Sequence, residues 1–210
     1  MKKVFPLSFL LLILTVGVAA QSGRRVVNPP PPREPVIETP PERPPERLAP
    51  IAEVSVLPAD LLNHEIKSLD KSSFRLSDFN GHVIVVNIWA TWCGPCRREV
   101  PDYERVRKEY AGKAVEFIGL TTEDPRTASD KVQQFAREFN FGFRLGWADR
   151  EMAHLLMNGR SVIPQTLVIG ADGRIVAHWN GYASGQSRGR LRDTIARALA
   201  EGPSSSPQSR

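Results

Sequence analysis

Residues 83–96 read VIVVNIWATWCGPC, and this stretch decides the fold that the rest of the chain must complete. Its first half, residues 83–89, is a nearly continuous apolar run rich in β-branched side chains, which is typical of a central strand buried on both faces. Its second half holds the chain's two cysteines, Cys93 and Cys96, at the opening of a predicted helix over residues 96–110. The stretch therefore predicts an α/β domain with a cysteine pair at a strand–helix junction.

The flanking sequence alternates between short β-type runs and helical stretches. Further strands are predicted over residues 65–70, 73–76, 115–121, 166–169 and 174–179, and further helices over residues 127–139, 148–157 and 188–200. The first two strands form a small hairpin before the central strand, and Ala171-Asp172-Gly173 is a turn signal for a second hairpin. Strands joined first by crossover helices and then by a hairpin imply a mixed central sheet with helices on both faces.

The N-terminal residues have the pattern of an export segment. Lys2 and Lys3 precede an apolar run that ends in the small residues Val18-Ala19-Ala20. This predicts a signal peptide over residues 1–20, or an N-terminal membrane anchor if the segment is retained. In either case the domain is expected outside the cytoplasm, in the periplasm or on the outer face of the cytoplasmic membrane.

Proline dominates the segment that follows. Ten of the chain's 18 prolines lie between residues 28 and 50, among charged residues and with little apolar surface to bury. We therefore predict a disordered, proline-rich linker over residues 21–53, which would act as a stalk if the preceding segment tethers the protein to the membrane. The folded domain is predicted over residues 54–201, and the Ser/Pro-rich residues 202–210 are predicted to be a flexible tail.

The charge balance gives no sign of a nucleic-acid partner. The formal net charge is +5, and without Lys2 and Lys3 it would be +3. Phosphate binding requires a concentrated basic face rather than a slight surplus of positive charge. The cysteine helix mixes both signs and is interpreted as a solvated face, with the cations Arg97, Arg98, Arg105, Arg107 and Lys108 among the acids Glu99, Asp102, Glu104 and Glu109.

The placement of the cysteines predicts different roles for them. At a helix N-terminus, unpaired N–H groups and the helix dipole favour an anion, so we expect a lowered pKa for Cys93. Cys96 lies one turn further in and is expected to be more buried and less acidic. Cys93 would then attack a target disulfide to form a mixed disulfide, and Cys96 would displace the product.

Three other interpretations of the cysteine pair fit the sequence less well than a redox role. A zinc site needs two further ligands, and His64, His82, His154 and His178 show no paired ligand spacing. Covalent haem attachment needs a histidine at the position that Arg97 occupies. A purely structural disulfide would close too short a loop to stabilise much. Dithiol–disulfide exchange requires neither a metal nor an organic cofactor, and we expect none.

A resemblance adds detail to this picture. Residues 87–101, NIWATWCGPCRREVP, closely resemble the active-site segment of thioredoxin-like proteins, specifically the extracytoplasmic thiol-disulfide oxidoreductases of the TlpA/ResA/CcmG type within the AhpC/TSA-like redoxin superfamily. Residues 74–81 are similar to that group's lead-in to the central strand, and residues 123–147 to its extra helix and strand. The resemblance implies a thioredoxin fold with an N-terminal hairpin and an inserted helix and strand.

The family resemblance also implies a substrate-binding surface. Pro164 matches a proline that faces the disulfide in the cis form, although on sequence alone it is also compatible with an ordinary proline at the start of a strand. A cis bond there would present the backbone of Ile163 to an incoming client chain. Trp92 and Pro95 are expected to share a shallow apolar contact patch with Ile163.

Asn87 marks a departure from cytoplasmic thioredoxins, which carry a buried aspartate at the matching position. Asn87 cannot titrate, so proton handling must lie elsewhere. The resemblance implies Glu99, three residues after Cys96, because the extracytoplasmic group places an acid there, near its cysteines; Glu99 would accept a proton from the pair or tune its pKa values. The alternative is a surface glutamate in the first turn of the helix, stabilised by the dipole. Trp89, Trp147 and Trp179 are assigned to packing, and Tyr103 is assigned no function.

The main functional hypothesis is a dithiol reductant for disulfides in exported client proteins, with cytochrome c maturation as one implied client pathway. An oxidising compartment would trap the pair as a disulfide, so a membrane-embedded thiol-reductant relay is expected as electron donor. A disulfide oxidase or isomerase is the rival within the same class of enzyme. A redox-silent binding module or chaperone that uses the apolar rim is the alternative from another class.

Overall fold

The computed structural model describes residues 56–202, and the predicted signal or anchor, the linker and residues 203–210 of the predicted tail lie outside the described residues. Among the described residues, no helix has both the length and the apolar character needed to cross a bilayer. A single 3₁₀ turn covers Leu76–Phe79. The other elements, in chain order, are α1 (Ala59–Leu62), β1 (Ile66–Ser68), β2 (Ser73–Phe74), β3 (Val83–Trp89), α2 (Gly94–Glu109), β4 (Val115–Thr121), α3 (Pro125–Glu138), β5 (Arg144–Trp147), α4 (Arg150–Leu156), β6 (Gln165–Ile169), β7 (Ile175–Asn180) and α5 (Ser187–Glu201).

The strands form one mixed sheet of seven strands in the order β2-β1-β5-β4-β3-β6-β7. β3 lies near the centre, parallel to β4 and antiparallel to β6. β5 extends the parallel part of the sheet and connects it to the β1–β2 hairpin. The mixed sheet and both hairpins confirm the prediction from the sequence pattern, and β5 confirms the inserted strand that the family resemblance implied.

The side chains of β3 divide the core between the two faces of the sheet. Val83, Val85 and Trp89 belong to a cluster that includes buried residues of α2, α3 and α5. The alternate residues Ile84, Val86 and Ile88 belong to a second cluster with buried residues of α1 and α4. Because side chains alternate along a strand, Asn87 lies in the same row as Val85 and Trp89 and faces α2. The central strand thus places one amide group among the buried residues between the sheet and α2.

Two helices begin two residues earlier than the sequence pattern predicted. α2 begins at Gly94 because the Cys93 sulfur is its N-cap and accepts the Cys96 N–H at 3.1 Å. α3 begins at Pro125 because the Asp124 carboxylate accepts the Arg126 N–H at 2.9 Å, and proline suits a first helical turn. In both cases the cap extends the helix beyond its apolar pattern.

The interpretation of α2 as having all its charges on a solvated face is wrong for two residues. Glu99 and Glu104 are buried. Glu104 accepts the Gly142 N–H at 2.6 Å and pairs with Arg107 at 3.0 Å, so it ties α2 to the start of β5. The alternating charges gave no indication of this, because the sheet and α5 decide which side of α2 is covered.

Gly119 provides a test of the packing above the parallel strands. It pairs with Asn87 across the sheet, and a Cβ atom there would lie 2.7 Å from the Leu145 side chain and 3.2 Å from the Trp89 indole nitrogen. We expect Gly119→Val to lower the free energy of unfolding by on the order of 2 kcal/mol, because the layer cannot accept added volume. Equilibrium unfolding in urea, followed by tryptophan fluorescence, measures the change.

Gly189 is the matched control for this substitution. It lies in α5, and a Cβ atom there would meet nothing within 4 Å. Gly189→Ala should leave stability unchanged or raise it by up to about 1 kcal/mol through helix propensity. An unchanged urea midpoint for Gly119→Val would show that the packing described above is wrong.

Candidate active site

The cysteine pair lies where the central strand passes into α2. Cys93 and Cys96 form a disulfide with a Cα–Cα distance of 5.3 Å. Cys93 is 4% exposed and Cys96 is fully buried, which agrees in direction with the expected difference. The sulfur of Cys93 lies at the N-terminus of a 16-residue helix, where unpaired N–H groups and the helix dipole stabilise negative charge. Reduction would therefore release a thiolate into a favourable electrostatic position at residue 93.

The loop that leads into Cys93 is held from both sides. The Glu123 carboxylate accepts the Thr91 N–H at 2.7 Å and the Thr91 hydroxyl at 2.8 Å. Arg97 donates to the Thr91 carbonyl oxygen at 3.4 Å, and its guanidinium group lies over the rings of Phe135 and Phe139. All three polar groups of Thr91 are therefore satisfied, which fixes the backbone two residues before the cysteine. Glu123 had no predicted role, and Arg97 was predicted only as one charge of a solvated helix face.

The segment before β6 carries the second feature that the family resemblance implied. The Ile163–Pro164 peptide bond is cis. Gly181 donates its N–H to the Pro164 carbonyl oxygen at 2.7 Å. The Ile163 backbone N–H and C=O form no hydrogen bond to another residue within the range 56–202. They remain available to a chain that approaches the disulfide.

Two side-chain hydrogen bonds that run through Gln165 and His178, the Gln165–His178 relay, support the segment before β6. The Gln165 amide donates to the Val162 carbonyl oxygen at 2.8 Å, and its own oxygen contacts His178 Nε2 at 2.7 Å. Since that oxygen can only accept, His178 carries a proton on Nε2. Burial, together with nearby Arg160, lowers the pKa of His178 and favours the neutral ring. Because Nε2 carries a proton in this neutral tautomer and in the protonated ring alike, the hydrogen bond to Gln165 does not depend on the charge of His178.

An open groove lies beside the disulfide. Trp92 is 70% exposed at one end of it. The groove has a volume of about 550 Å³ and is lined in its apolar part by Trp92, Pro125, Ala148, Ala153, Met157 and Ile163. Trp92 and Ile163 thus share a surface, as expected. Pro95 is half-buried and does not line the groove, so the structure brings together two of the three residues of the predicted patch.

Glu99 is not a surface residue, so that alternative is wrong. It is fully buried, and its Oε2 accepts a hydrogen bond from the Asn87 amide at 2.7 Å. Its Oε1 has no hydrogen-bond partner within residues 56–202. Burial raises the pKa of Glu99 to about 8, although the hydrogen bond from Asn87 and the nearby Tyr103 hydroxyl act in the opposite direction. The group is therefore mostly protonated at neutral pH while the disulfide is closed.

Asn87, which donates a hydrogen bond to Glu99, belongs to a row of residues that crosses the sheet. Asn87 of β3 pairs with Thr166 of β6, which pairs with Trp179 of β7. Above them, the Tyr103 hydroxyl contacts the Thr166 hydroxyl at 3.1 Å and accepts the Trp179 indole N–H at 3.2 Å. Tyr103 follows Glu99 by four residues, so both side chains lie on one face of α2. That spacing was visible in the sequence, whereas the strand register that adds Thr166 and Trp179 was not.

Comparison with known proteins gives a consistent result. The family model described as Redoxin matches residues 54–193. Thiol-disulfide oxidoreductase ResA of Bacillus thuringiensis subsp. konkukian is 27% identical over 119 residues, which cover 57% of this chain and 66% of the relative. The chain therefore spans slightly less than two thirds of that relative's length.

Two solved structures share the fold. One is a thiol:disulfide interchange protein of the thioredoxin family from Chlorobium tepidum, with a TM-score of 0.60 and 24% identity over 70% of this chain and 98% of the other. The second is a secreted disulfide oxidoreductase of Mycobacterium tuberculosis, with a TM-score of 0.54 and 20% identity over 67% of this chain and 99% of the other. These two structures confirm the thioredoxin fold. The Redoxin model confirms the family resemblance inferred from residues 87–101.

The raised pKa of Glu99 predicts how stability depends on pH. An exposed glutamate has a pKa of about 4.5, against about 8 for Glu99 in the folded protein. Between these values the folded state binds one proton more than the unfolded state, so stability falls as pH rises from about 4.5 to 8 and is level above that range. Glu99→Gln is neutral throughout. The unfolding free energy of oxidised Glu99→Gln should therefore rise relative to wild type by on the order of 4 kcal/mol between pH 5 and 8.

Glu109→Gln is the control for this measurement. Glu109 lies on the same helix but is exposed, and its pairing with Arg192 lowers its pKa. Its substitution should change stability by the same small amount at pH 5 and at pH 8. Urea unfolding of the oxidised proteins at several pH values gives the comparison, and parallel pH curves for wild type and Glu99→Gln would contradict the raised pKa.

Proposed function

This chain belongs to the redoxin family, and we propose that it is a thiol:disulfide oxidoreductase that cycles Cys93 and Cys96 between dithiol and disulfide. The observation that carries the proposal is the disulfide at the N-terminus of α2, beside a cis-proline segment whose Ile163 backbone lacks hydrogen-bond partners among the described residues. The disulfide, once reduced, supplies a nucleophile, and the cis-proline segment supplies a place for the substrate chain. ResA, named as a thiol-disulfide oxidoreductase, supports the same activity.

In the first step, the Cys93 thiolate attacks one sulfur of a client disulfide. A bond forms between Cys93 and that sulfur, the client S–S bond breaks, and the other client sulfur leaves as a thiolate. The helix N-terminus stabilises the attacking thiolate. Extended client residues pair with the Ile163 backbone, in the manner of an added β-strand, while Trp92 and the groove take up an apolar side chain.

In the second step, Cys96 displaces the client. Glu99, three residues further along the same face of α2, accepts the Cys96 proton as its carboxylate becomes a carboxylic acid. The Cys96 thiolate attacks Cys93, the Cys93–Cys96 disulfide forms, and the client leaves as a second thiolate. The two client thiolates take protons from water, so two electrons pass from the enzyme to the client. The pKa of about 8 for Glu99 beside the closed disulfide supports this assignment, since Glu99 ends the cycle protonated.

Export and the direction of electron flow are the finer parts of the proposal. The N-terminal pattern of residues 1–20 and the proline-rich residues 21–53 support a domain that is exported and, if the segment is retained, tethered to the membrane. In that setting we propose a reductant of exported clients, supplied with electrons by a membrane thiol relay. Clients in cytochrome c maturation are the implied group, on the family resemblance alone.

Insulin reduction tests the activity directly. With dithiothreitol as electron source, the wild-type chain should accelerate insulin precipitation, and Cys93→Ser should abolish the acceleration because the attacking sulfur is gone. Cys96→Ser should accumulate a mixed disulfide with insulin, seen on a non-reducing gel. The control is Gly189→Ala on α5, which lies outside the groove and has nothing within 4 Å of the added Cβ atom. Insulin binding without any cysteine-dependent turnover would support the binding-module alternative and reject the oxidoreductase.

The reduction potential separates a reductant from an oxidant. Equilibration with glutathione buffers, followed by alkylation and mass spectrometry, gives the potential of the Cys93–Cys96 pair. We expect a value near that of reducing thioredoxins, about −270 mV. A value near that of strong periplasmic oxidants, about −120 mV, would reverse the proposed direction while leaving the exchange chemistry in place.

A further inference from the structure

The polar groups beneath the disulfide form a ring with one gap. Asn87 donates to Glu99 at 2.7 Å and lies 3.4 Å from the Thr166 hydroxyl, which in turn lies 3.1 Å from the Tyr103 hydroxyl. The gap lies between Tyr103 and the free Oε1 of Glu99. All four side chains are at least 99% buried, so water cannot readily take the missing place. A buried carboxyl oxygen without a partner is costly once the group is charged.

The donors of this ring can be assigned from chemistry. An indole N–H only donates, so the Tyr103 oxygen accepts from Trp179 at 3.2 Å in every state. In one arrangement the Tyr103 proton points to the Thr166 oxygen. If Thr166 donates to Tyr103 instead, the Tyr103 proton is free for Glu99, whose charge already acts on the pKa of Tyr103. Because Glu99 Oε1 has no hydrogen-bond partner among the described residues in the disulfide state, the second arrangement also requires a small movement of the Tyr103 or Glu99 side chain.

Each arrangement suits one protonation state of Glu99. A carboxylate needs a donor at Oε1, which Tyr103 supplies when Thr166 donates to it. A carboxylic acid needs no such donor, and Tyr103 then donates to Thr166. The interaction is mutual: the nearby Tyr103 hydroxyl acts to lower the pKa of Glu99, while burial and the charge of Glu99 raise the pKa of Tyr103.

Other ionisable groups near this ring are few. Tyr182, in the segment after β7, senses the charge of Glu99, but its hydroxyl donates to Asp102 at 2.6 Å. Arg190 of α5 lies over the Trp179 ring and interacts electrostatically with Tyr103. The cysteine pair itself lies at the start of the same helix. Tyr103 is thus linked to Glu99 through shared neighbours. Its hydroxyl contacts the Thr166 hydroxyl, which also accepts a hydrogen bond from the Asn87 amide, and that amide holds Glu99.

We propose that Tyr103 is a positioning residue for the redox site: its hydroxyl, held by Trp179, reverses its hydrogen bond with Thr166 and thereby stabilises the Glu99 carboxylate in the dithiol state and releases it in the disulfide state. This inference rests on the proposed function for its role in the cycle. The hydrogen-bond switch itself is a property of the folded protein and is measurable without any client.

The switch predicts opposite effects for two conservative variants. In Tyr103→Phe the donor is lost, so the pKa of Glu99 should rise by about one unit, the size expected for one hydrogen bond to a buried charge. In Thr166→Val the Tyr103 proton loses its alternative acceptor and turns to Glu99, so the pKa of Glu99 should fall. The titration is followed by NMR of carboxyl carbon-13 in glutamate-labelled full-length protein, in both redox states, with Glu99→Gln used to assign the signal.

Tyr110→Phe is the matched control. Tyr110 lies on the same helix, and its hydroxyl donates to the Arg192 carbonyl oxygen at 3.0 Å, away from the ring. This variant should leave the Glu99 titration unchanged. The pH profile of the mixed-disulfide resolution step should shift with the Glu99 pKa in Tyr103→Phe and in Thr166→Val, in opposite directions.

The outcomes separate this inference from the proposed function. If Tyr103→Phe titrates like wild type, or if Thr166→Val raises the pKa of Glu99, the switch is wrong, even with normal cysteine-dependent insulin reduction. If Tyr103→Phe does not fold, the sign of the Thr166→Val shift decides. If wild type shows no cysteine-dependent turnover, the proposed function fails, while the NMR titrations still test the hydrogen-bond switch independently.

Discussion

A carboxyl group buried beneath a disulfide sets the main constraint on this molecule. The charged form of Glu99 would cost several kcal/mol in an apolar layer without partners, because protein dipoles must replace the water that it loses. β3 provides the partner in contact, Asn87, while β6 and β7 hold the neighbouring Tyr103 hydroxyl through Thr166 and Trp179. A shift of β3 by one residue would turn Asn87 to the opposite face and leave the carboxyl group without its hydrogen-bond donor. The chemistry of the site therefore depends on the register of the sheet.

At the same site, backbone segments held by hydrogen bonds lie next to backbone groups that have no hydrogen-bond partner among the described residues. Glu123 and Arg97 satisfy every polar group of Thr91, and the Gln165–His178 relay holds the segment before β6. Between these supports, Trp92 is exposed and the Ile163 backbone has no partner among the described residues. Because the backbone around the reacting sulfur is already ordered, little conformational entropy is lost there when a client chain binds. The unpaired backbone groups remain able to form hydrogen bonds with that chain.

Much of the fold could be predicted from local pattern. The apolar run of residues 83–89 and the later alternation of strands and helices correspond to observed elements, because burial on one or two faces leaves a period that a sequence displays. The helix starts were less well predicted, since the Cys93 and Asp124 caps act by hydrogen bonds that periodicity does not report. The charges of α2 were misjudged at Glu99 and Glu104, because a mixed-charge helix does not show which side the sheet will cover.

The sequence by itself determined the central strand, the placement of the cysteine pair at a helix start and a mixed sheet covered by helices, because covalent order and hydrophobic period are local properties; the thioredoxin topology was implied by the resemblance of residues 87–101. Only the tertiary structure decided that Glu99 is buried, that Asn87 holds it, and that Thr166 and Trp179 surround the Tyr103 hydroxyl. These relations join residues up to 79 positions apart, as in the contact of Asn87 with Thr166. They depend on strand register and on the packing of α2 against the sheet, and neither is written in any single stretch of the chain.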